Sequence, residues 1–327
     1  MRLATVRDGS RDGALIVVDR AARRMVRAAG VAPTMQAALD DWARAEPGLR
    51  ALAAALDGGM AAAEALDVGA LAAPLPRAYE WVDASSYLNH VRLVRRARGA
   101  PPPENLETEP LVYQGGSGIM LAPTAPLQLP DPAWGLDFES EICVVLGDVA
   151  RGSDASAGAA AIRLLLLAND VTYRNLVAPE LQKGFGFFAS KPATAFGPFA
   201  VTPDELGAAW KDGRAHLRVQ TTLNDQRVGD VDSGPEMHFS FPELIAFIAN
   251  TRAFVAGTIL GSGTVSNQDR TRGVSCLVER RTIETLEGGG PTTPYLAPGD
   301  SVRIEAVDAD GRSVFGTIAQ RVERVSP

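Results

Sequence analysis

The chain has 327 residues, with 32 Lys and Arg against 39 Asp and Glu, a formal net charge of −7, and 46% apolar residues. That balance supports a sizeable core and excludes general disorder, and the length suggests about two domains. The acidic excess argues against nucleic acid as the main partner, because a phosphate backbone is held by a field of Lys and Arg. No stretch of about 18 residues is free of polar groups, so no membrane partner is expected. The charges in MRLATVRDGSRDG leave no apolar core for a signal peptide. Two cysteines, Cys143 and Cys276, cannot build a disulfide framework, and Cys143 in EICVVLG reads as a small core residue. A reducing, cytoplasmic setting follows as the expectation.

In chain order, MRLATVRDG and GALIVVD predict two short strands around a polar turn. Residues 34–67, rich in Ala and Leu, predict two helices broken at Asp57-Gly58-Gly59. LAAPLPRAYEW reads as an extended linker, which puts a boundary near residue 76 and divides the chain into 1–76 and 77–327. Beyond it GIMLAP, LDFESEICVVLG, FGPFAVTP, HLRVQTTLND, SVRIEAVDADG and SVFGTIAQRV read as strands, the last two joined by a hairpin through Asp310-Gly311. Helices are expected near Ser86, over ASAGAAAIRLLLLAND and over PELIAFIANTR. There is no fixed-period repeat, GxGxxG or P-loop, and the class is α+β.

Several residues could carry chemistry. Glu139 and Glu141 stand two apart in a strand-like segment, so both point to one face. They form either a solvated face or a carboxylate pair bridged by a hard cation. Asp170 ends the apolar run LLLLAND, as a turn former or a site residue. Asp83 could cap the following helix, with His90 two turns on along the same face. Lys191 sits among aromatic, Gly and Pro residues, where it snorkels or meets a carboxylate. Glu279 follows an apolar stretch, beside Arg280 and Arg281.

These pieces form an ordered set: Asp83 with His90 seven residues later, Tyr113-Gln114-Gly115, Glu139 and Glu141 in DFESE, Asn169-Asp170 with Arg174 four later, Lys191, Gly263-Thr264-Val265-Ser266, and Glu279. Over residues 79–327 the set resembles the fumarylacetoacetate hydrolase (fumarylacetoacetase) family. The resemblance implies a catalytic domain that is a mixed β-sandwich roll, here behind a small α/β N-terminal domain, in a homodimer. It implies one divalent cation, Mg²⁺ or Ca²⁺, held by Asp83, Glu139, Glu141 and Asp170, with Lys191, Thr194 and Arg174 just outside. His90, oriented by Glu279, would activate water, and Lys191 would stabilise the leaving enolate. Tyr113, Thr264 and Arg98 would bind the substrate, with Arg95 and Arg96 as rivals for Arg98, and Gln182 would replace a substrate-binding Gln of the family. The implied reaction is hydrolysis of a carbon–carbon bond in a 1,3-diketo acid, fumarylacetoacetate of tyrosine breakdown or an acylpyruvate. The alternatives are a 2-oxo acid hydratase, decarboxylase or isomerase of aromatic catabolism, and a non-catalytic metal-binding or ligand-binding homologue.

Overall fold

The computed structural model describes residues 1–60, 62–97 and 99–326. In chain order β1 (Arg2–Val6), β2 (Ala14–Val18) and β3 (Arg24–Arg27) precede α1 (Met35–Asp40), α2 (Trp42–Asp57) and β4 (Glu64–Ala65). Then come β5 (Trp81–Ala84), α3 (Leu88–Ala97), β6 (Val112–Gly115), β7 (Leu127–Leu129), β8 (Leu136–Asp137) and β9 (Ser140–Leu146). They are followed by α4 (Ala155–Ala161), β10 (Ile162–Asn169), β11 (Thr172–Tyr173) and α5 (Arg174–Gln182). The chain continues through β12 (Ala195–Phe196), β13 (Ala200–Val201), β14 (Trp210–Lys211), β15 (Arg214–Ala215), β16 (Arg218–Leu223) and β17 (Gln226–Asp232). It closes with α6 (Phe241–Ile248), β18 (Ile259–Gly261), α7 (Leu277–Gly288), β19 (Ser301–Val307) and β20 (Ser313–Arg324).

The class is α+β. One mixed sheet runs β4-β3-β2-β1-β13-β10-β9-β18-β5-β6, and a second runs β17-β16-β19-β20-β7. The N-terminal strands extend the first sheet, since Leu3 of β1 pairs with Ala200 of β13. Strands β9 and β10 lie at its centre and are buried on both faces. On one face Val144, Leu165 and Leu167 share a core with Val219, Ile304 and Phe315 of the second sheet. On the other, Cys143, Val145, Leu164 and Leu166 pack against Leu15, Val17, Leu39 and Leu49 of the N-terminal segment. Among the described residues no helix is long and apolar enough to cross a membrane.

That double burial corrects one expectation. The run IRLLLL is strand, and helix α4 stops at Ala161. A continuous apolar run suits a central strand as well as a buried helix, and periodicity cannot separate the two. The helical break of residues 34–67 falls at Asp41, while Gly58 and Gly59 end α2 and the chain goes on to pair β4 with β3. GIMLAP forms no strand, and only Leu121 bridges to Ala195. The DFESE segment is not continuous either. Strand β8 pairs with β11, β9 pairs with β10, and the chain switches between them at Phe138 and Glu139. The hairpin at Asp310-Gly311 forms as expected, with Gly311 at φ +77°.

Candidate active site

Adjacent strands set the carboxylates side by side. Strand β18 lies between β5 and β9, and its Gly261 is opposite Asp83 on one side and Cys143 on the other. Tyr113 of β6 is opposite Asp83, and Glu141 of β9 is opposite Ala168, two residues before Asp170. Asp83, Glu141 and Asp170 thereby offer oxygens that all lie within 4.8 Å of one another, and all three residues are buried. Gly261 keeps the space between them open. A Cβ there would lie 2.3 Å from Asp83 Oδ1, 2.6 Å from Trp81 Cη2 and 3.0 Å from Glu141 Oε2.

The charge of this cluster is only partly compensated. Neither carboxylate oxygen of Glu141 has a hydrogen-bond partner. Burial, then the carboxylates of Asp83 and Asp170, push Glu141 well above the ordinary carboxylate range. Burial and the Asp170 carboxylate push Asp83 up to about 8. Buried like charges with orphaned oxygens are what a hard divalent cation with oxygen ligands relieves, and the three side chains include no soft ligand. The residues present fit such an ion.

A second layer of charge surrounds the cluster. Lys191 Nζ donates to Glu139 Oε2 at 2.6 Å and to Asp170 Oδ2 at 2.5 Å. Burial works against its charge, but Asp170 and Glu139 outweigh that and hold the ammonium above its usual range. Tyr113 donates its hydroxyl to Asp170 Oδ2 at 2.6 Å, and Thr194 donates to Oδ1 at 2.9 Å. Glu139 faces cations instead of the other carboxylates, with Arg174 Nη2 2.5 Å from its Oε1. Burial would raise Glu139, but Arg174 and Lys191 hold it well below its usual range.

A histidine–glutamate pair comes from two helices. His90, in the first turn of α3, places Nδ1 3.0 Å from Glu279 Oε1 in the first turn of α7. Cys276 lies within the same 4.8 Å group and is buried. The start of α7 is held from outside: Asp137 accepts from the backbone N–H of Leu277 at 2.7 Å and of Val278 at 2.9 Å. Its Oδ2 also accepts from Arg174 Nε at 2.7 Å. Asp137 thus satisfies donors that a helix start leaves free and ties Glu279 to the strand that leads to Glu141.

His90, Asp83, Glu139, Tyr113, Lys191, Arg174 and Thr264 line one cavity of about 130 Å³. The fold therefore brings together residues spread from 83 to 279. One expected residue is not part of this picture. Gln182 is exposed at the last turn of α5 and does not line the cavity. It lies eight residues beyond Arg174, about 12 Å along the helix, and so misses the site. Val177, one turn after Arg174, occupies the wall instead. Arg98 lies outside the described residues. Residues not anticipated are Asp137, which a longer reading of the Asp-x-Glu-x-Glu alternation would have found, and Val94, four after His90. Phe187 also lines the cavity, from a loop with no sequence signal of its own.

Comparison with known proteins identifies the family. The model of the fumarylacetoacetate hydrolase C-terminal region matches residues 80–323, and that of fumarylacetoacetase N-terminal domain 2 matches residues 1–77. A 2,4-didehydro-3-deoxy-L-rhamnonate hydrolase of Sphingomonas sp. is 26% identical over 220 residues, 66% of each chain. A mitochondrial oxaloacetate tautomerase of Oryza sativa is 27% identical over 43% of this chain and 60% of its own. The crystal structure of maleylpyruvate hydrolase from Sphingobium sp. SYK-6, with manganese(II) and pyruvate, superposes with a TM-score of 0.64 at 19% identity over 99% of both chains. Likeness at that identity carries the fold. By both of its segments, this chain belongs to the fumarylacetoacetate hydrolase family.

Proposed function

We propose that the protein is a divalent-cation-dependent hydrolase that cleaves a carbon–carbon bond in a 1,3-diketo acid, either fumarylacetoacetate or an acylpyruvate. The observation that carries this reading is His90, paired with Glu279, on the wall of a cavity that is also lined by Asp83, a member of the buried carboxylate cluster with Glu141 and Asp170. Asp83, Glu141 and Asp170 would hold the cation, with Glu139 at its margin. Mg²⁺ and Ca²⁺ both suit oxygen ligands, and the Sphingobium relative was solved with manganese(II). When bound, the cation supplies Lewis acidity and offsets the negative charge of the cluster.

The protein's own groups do the rest. Glu279 accepts from His90 Nδ1–H, which leaves Nε2 as the free base. His90 takes a proton from water as the water oxygen adds to the carbonyl remote from the carboxylate. The bond between that carbonyl carbon and its neighbouring CH₂ breaks. Its electron pair passes to the leaving carbon as an enolate, and His90 returns the proton there. Lys191 has two of its three hydrogens engaged and turns the third toward the developing negative charge. Tyr113 and Thr264 border the substrate's oxygens.

A second reading, a keto–enol tautomerase, is favoured by the rice relative and uses the same pair to move a proton between carbon and oxygen. The test is ultraviolet absorbance of 2,4-dioxo acids with Mg²⁺ or excess EDTA, with product analysis. Metal-dependent loss of the chromophore with two acids formed supports hydrolysis. Decay with no new acid supports tautomerisation.

A further inference from the structure

Cys276 is the residue immediately before α7, and Glu279 stands three positions later in the first turn of that helix. These are the two positions whose side chains come together across a helix start. A side chain at the first of them ordinarily accepts from the free backbone N–H groups of the opening turn. Cys276 makes no such bond, and Asp137 accepts from Leu277 and Val278 instead. The thiol is left buried beside Glu279 with no capping role. Helix α3 packs against α7 and brings His90 to the same place, with Nδ1 3.0 Å from Glu279 Oε1. One nitrogen, one sulfur and one oxygen thus lie within 4.8 Å of one another.

We propose that His90, Cys276 and Glu279 form a second metal site, one that takes Zn²⁺ in preference to Mg²⁺. Zn²⁺ is held by thiolate sulfur, imidazole nitrogen and carboxylate oxygen at about 2.0–2.3 Å, usually in a tetrahedron. Neighbouring ligand atoms of such a tetrahedron stand about 3.3–3.8 Å apart, so small side-chain shifts bring these three to it. His90 lines the cavity, which supplies a way in for the ion and a water for the fourth position. The cluster of Asp83, Glu141 and Asp170 is the opposite case: it offers oxygen alone and suits a hard ion. Binding replaces the thiol proton by the metal and releases that proton to water. The ion also takes the place of the hydrogen on Nδ1, and the neutral imidazole then carries its hydrogen on Nε2. That is the nitrogen assigned as base in the hydrolase reading, so Zn²⁺ here inhibits turnover without displacing Mg²⁺. The inhibition rests on that reading; the binding does not.

The test is a titration of the full-length protein with Co²⁺, a coloured substitute for Zn²⁺, with Mg²⁺ in excess to fill the oxygen cluster. Thiolate ligation gives a near-ultraviolet sulfur-to-cobalt charge-transfer band that oxygen and nitrogen ligands do not. The expected band appears in the wild type, is bleached by an equal amount of Zn²⁺, and is absent in Cys276→Ser. It persists in Cys143→Ser. The chain has two cysteines, so that persistence assigns the band to Cys276 even where Cys276→Ser fails to fold. No band in the wild type, a band that survives in Cys276→Ser, or one lost only in Cys143→Ser overturns the proposal. In the same excess of Mg²⁺, Zn²⁺ should inhibit the wild type at least about tenfold more strongly than Cys276→Ser. A band without inhibition supports the site and removes His90 Nε2 from the base role.

Discussion

His90 Nδ1 lies 3.0 Å from Glu279 Oε1, although 189 residues of chain separate the two. An ionised Glu279 accepts only, so Nδ1 carries the hydrogen and Nε2 would be the base of the proposed reaction. His90→Ala should lower the rate of hydrolysis by about 10²–10⁴-fold while leaving divalent-cation affinity within about twofold. Steady-state kinetics and calorimetry on the same preparation check both parts. A variant that keeps most of its rate removes His90 from the base role.

Gly261 gives a test of the carboxylate cluster that changes no charge. A methyl group at this position would lie 2.3 Å from Asp83 Oδ1 and 3.0 Å from Glu141 Oε2, and 2.6 Å from the Trp81 ring. Gly261→Ala should cost at least about tenfold in Mn²⁺ affinity, and Glu141→Gln, which removes one ligand charge, should do the same. Electron paramagnetic resonance titration reads free Mn²⁺ directly. Unchanged affinity in both variants would place the cation elsewhere.

The same cluster sets a pH dependence. Asp83 is raised to about 8 and Glu141 is raised well above its ordinary range, both first by burial. A carboxyl whose folded pKa is raised contributes stability that is fully present below its unfolded pKa of about 4 and is lost as pH rises through the folded value. The metal-free protein should therefore lose thermal stability between about pH 5 and pH 8. Mg²⁺ should restore more of it at pH 8 than at pH 6, because the ion binds the ionised form. Melting temperatures with EDTA and with Mg²⁺ at the two pH values decide this. A Mg²⁺ increment that is smaller at pH 8 contradicts it.

Asp137 does not itself line the cavity, yet it holds the start of the helix that carries Glu279. Asp137→Ala leaves Arg174 buried with one partner fewer and two backbone N–H groups without acceptors. It should destabilise the fold by about 3–5 kcal/mol. Asp137→Asn, which keeps an acceptor oxygen, should recover part of that loss and leave kcat reduced more than KM. Urea denaturation and kinetics together separate this positioning role from a purely structural one, which would leave kcat unchanged in the folded fraction.

The fold class and the chain order of the candidate residues were legible in the sequence. Asp83, His90, Glu139, Glu141, Asp170, Lys191 and Glu279 are polar residues set in apolar runs, and each marks a place where chain chemistry overrides core packing. Their order along the chain could be read, but their convergence could not, because pairing across β9, β18 and β5 depends on tertiary contacts. The alternation in DFESE pointed at the carboxylates while hiding the switch of sheet at Phe138 and Glu139. The run IRLLLL misled because residues buried on both faces lose the period that separates strand from helix. Gln182 failed because only the actual start of α5 at Arg174 says which residues face the cavity.

Pyruvate released per 2,4-dioxopentanoate consumed, measured in Mg²⁺ with a coupled lactate dehydrogenase assay, tests the central claim most directly. The account predicts one pyruvate and one acetate per molecule of substrate, with release abolished by EDTA or by His90→Ala. Consumption of the diketone without pyruvate, or release that persists in EDTA, would contradict it.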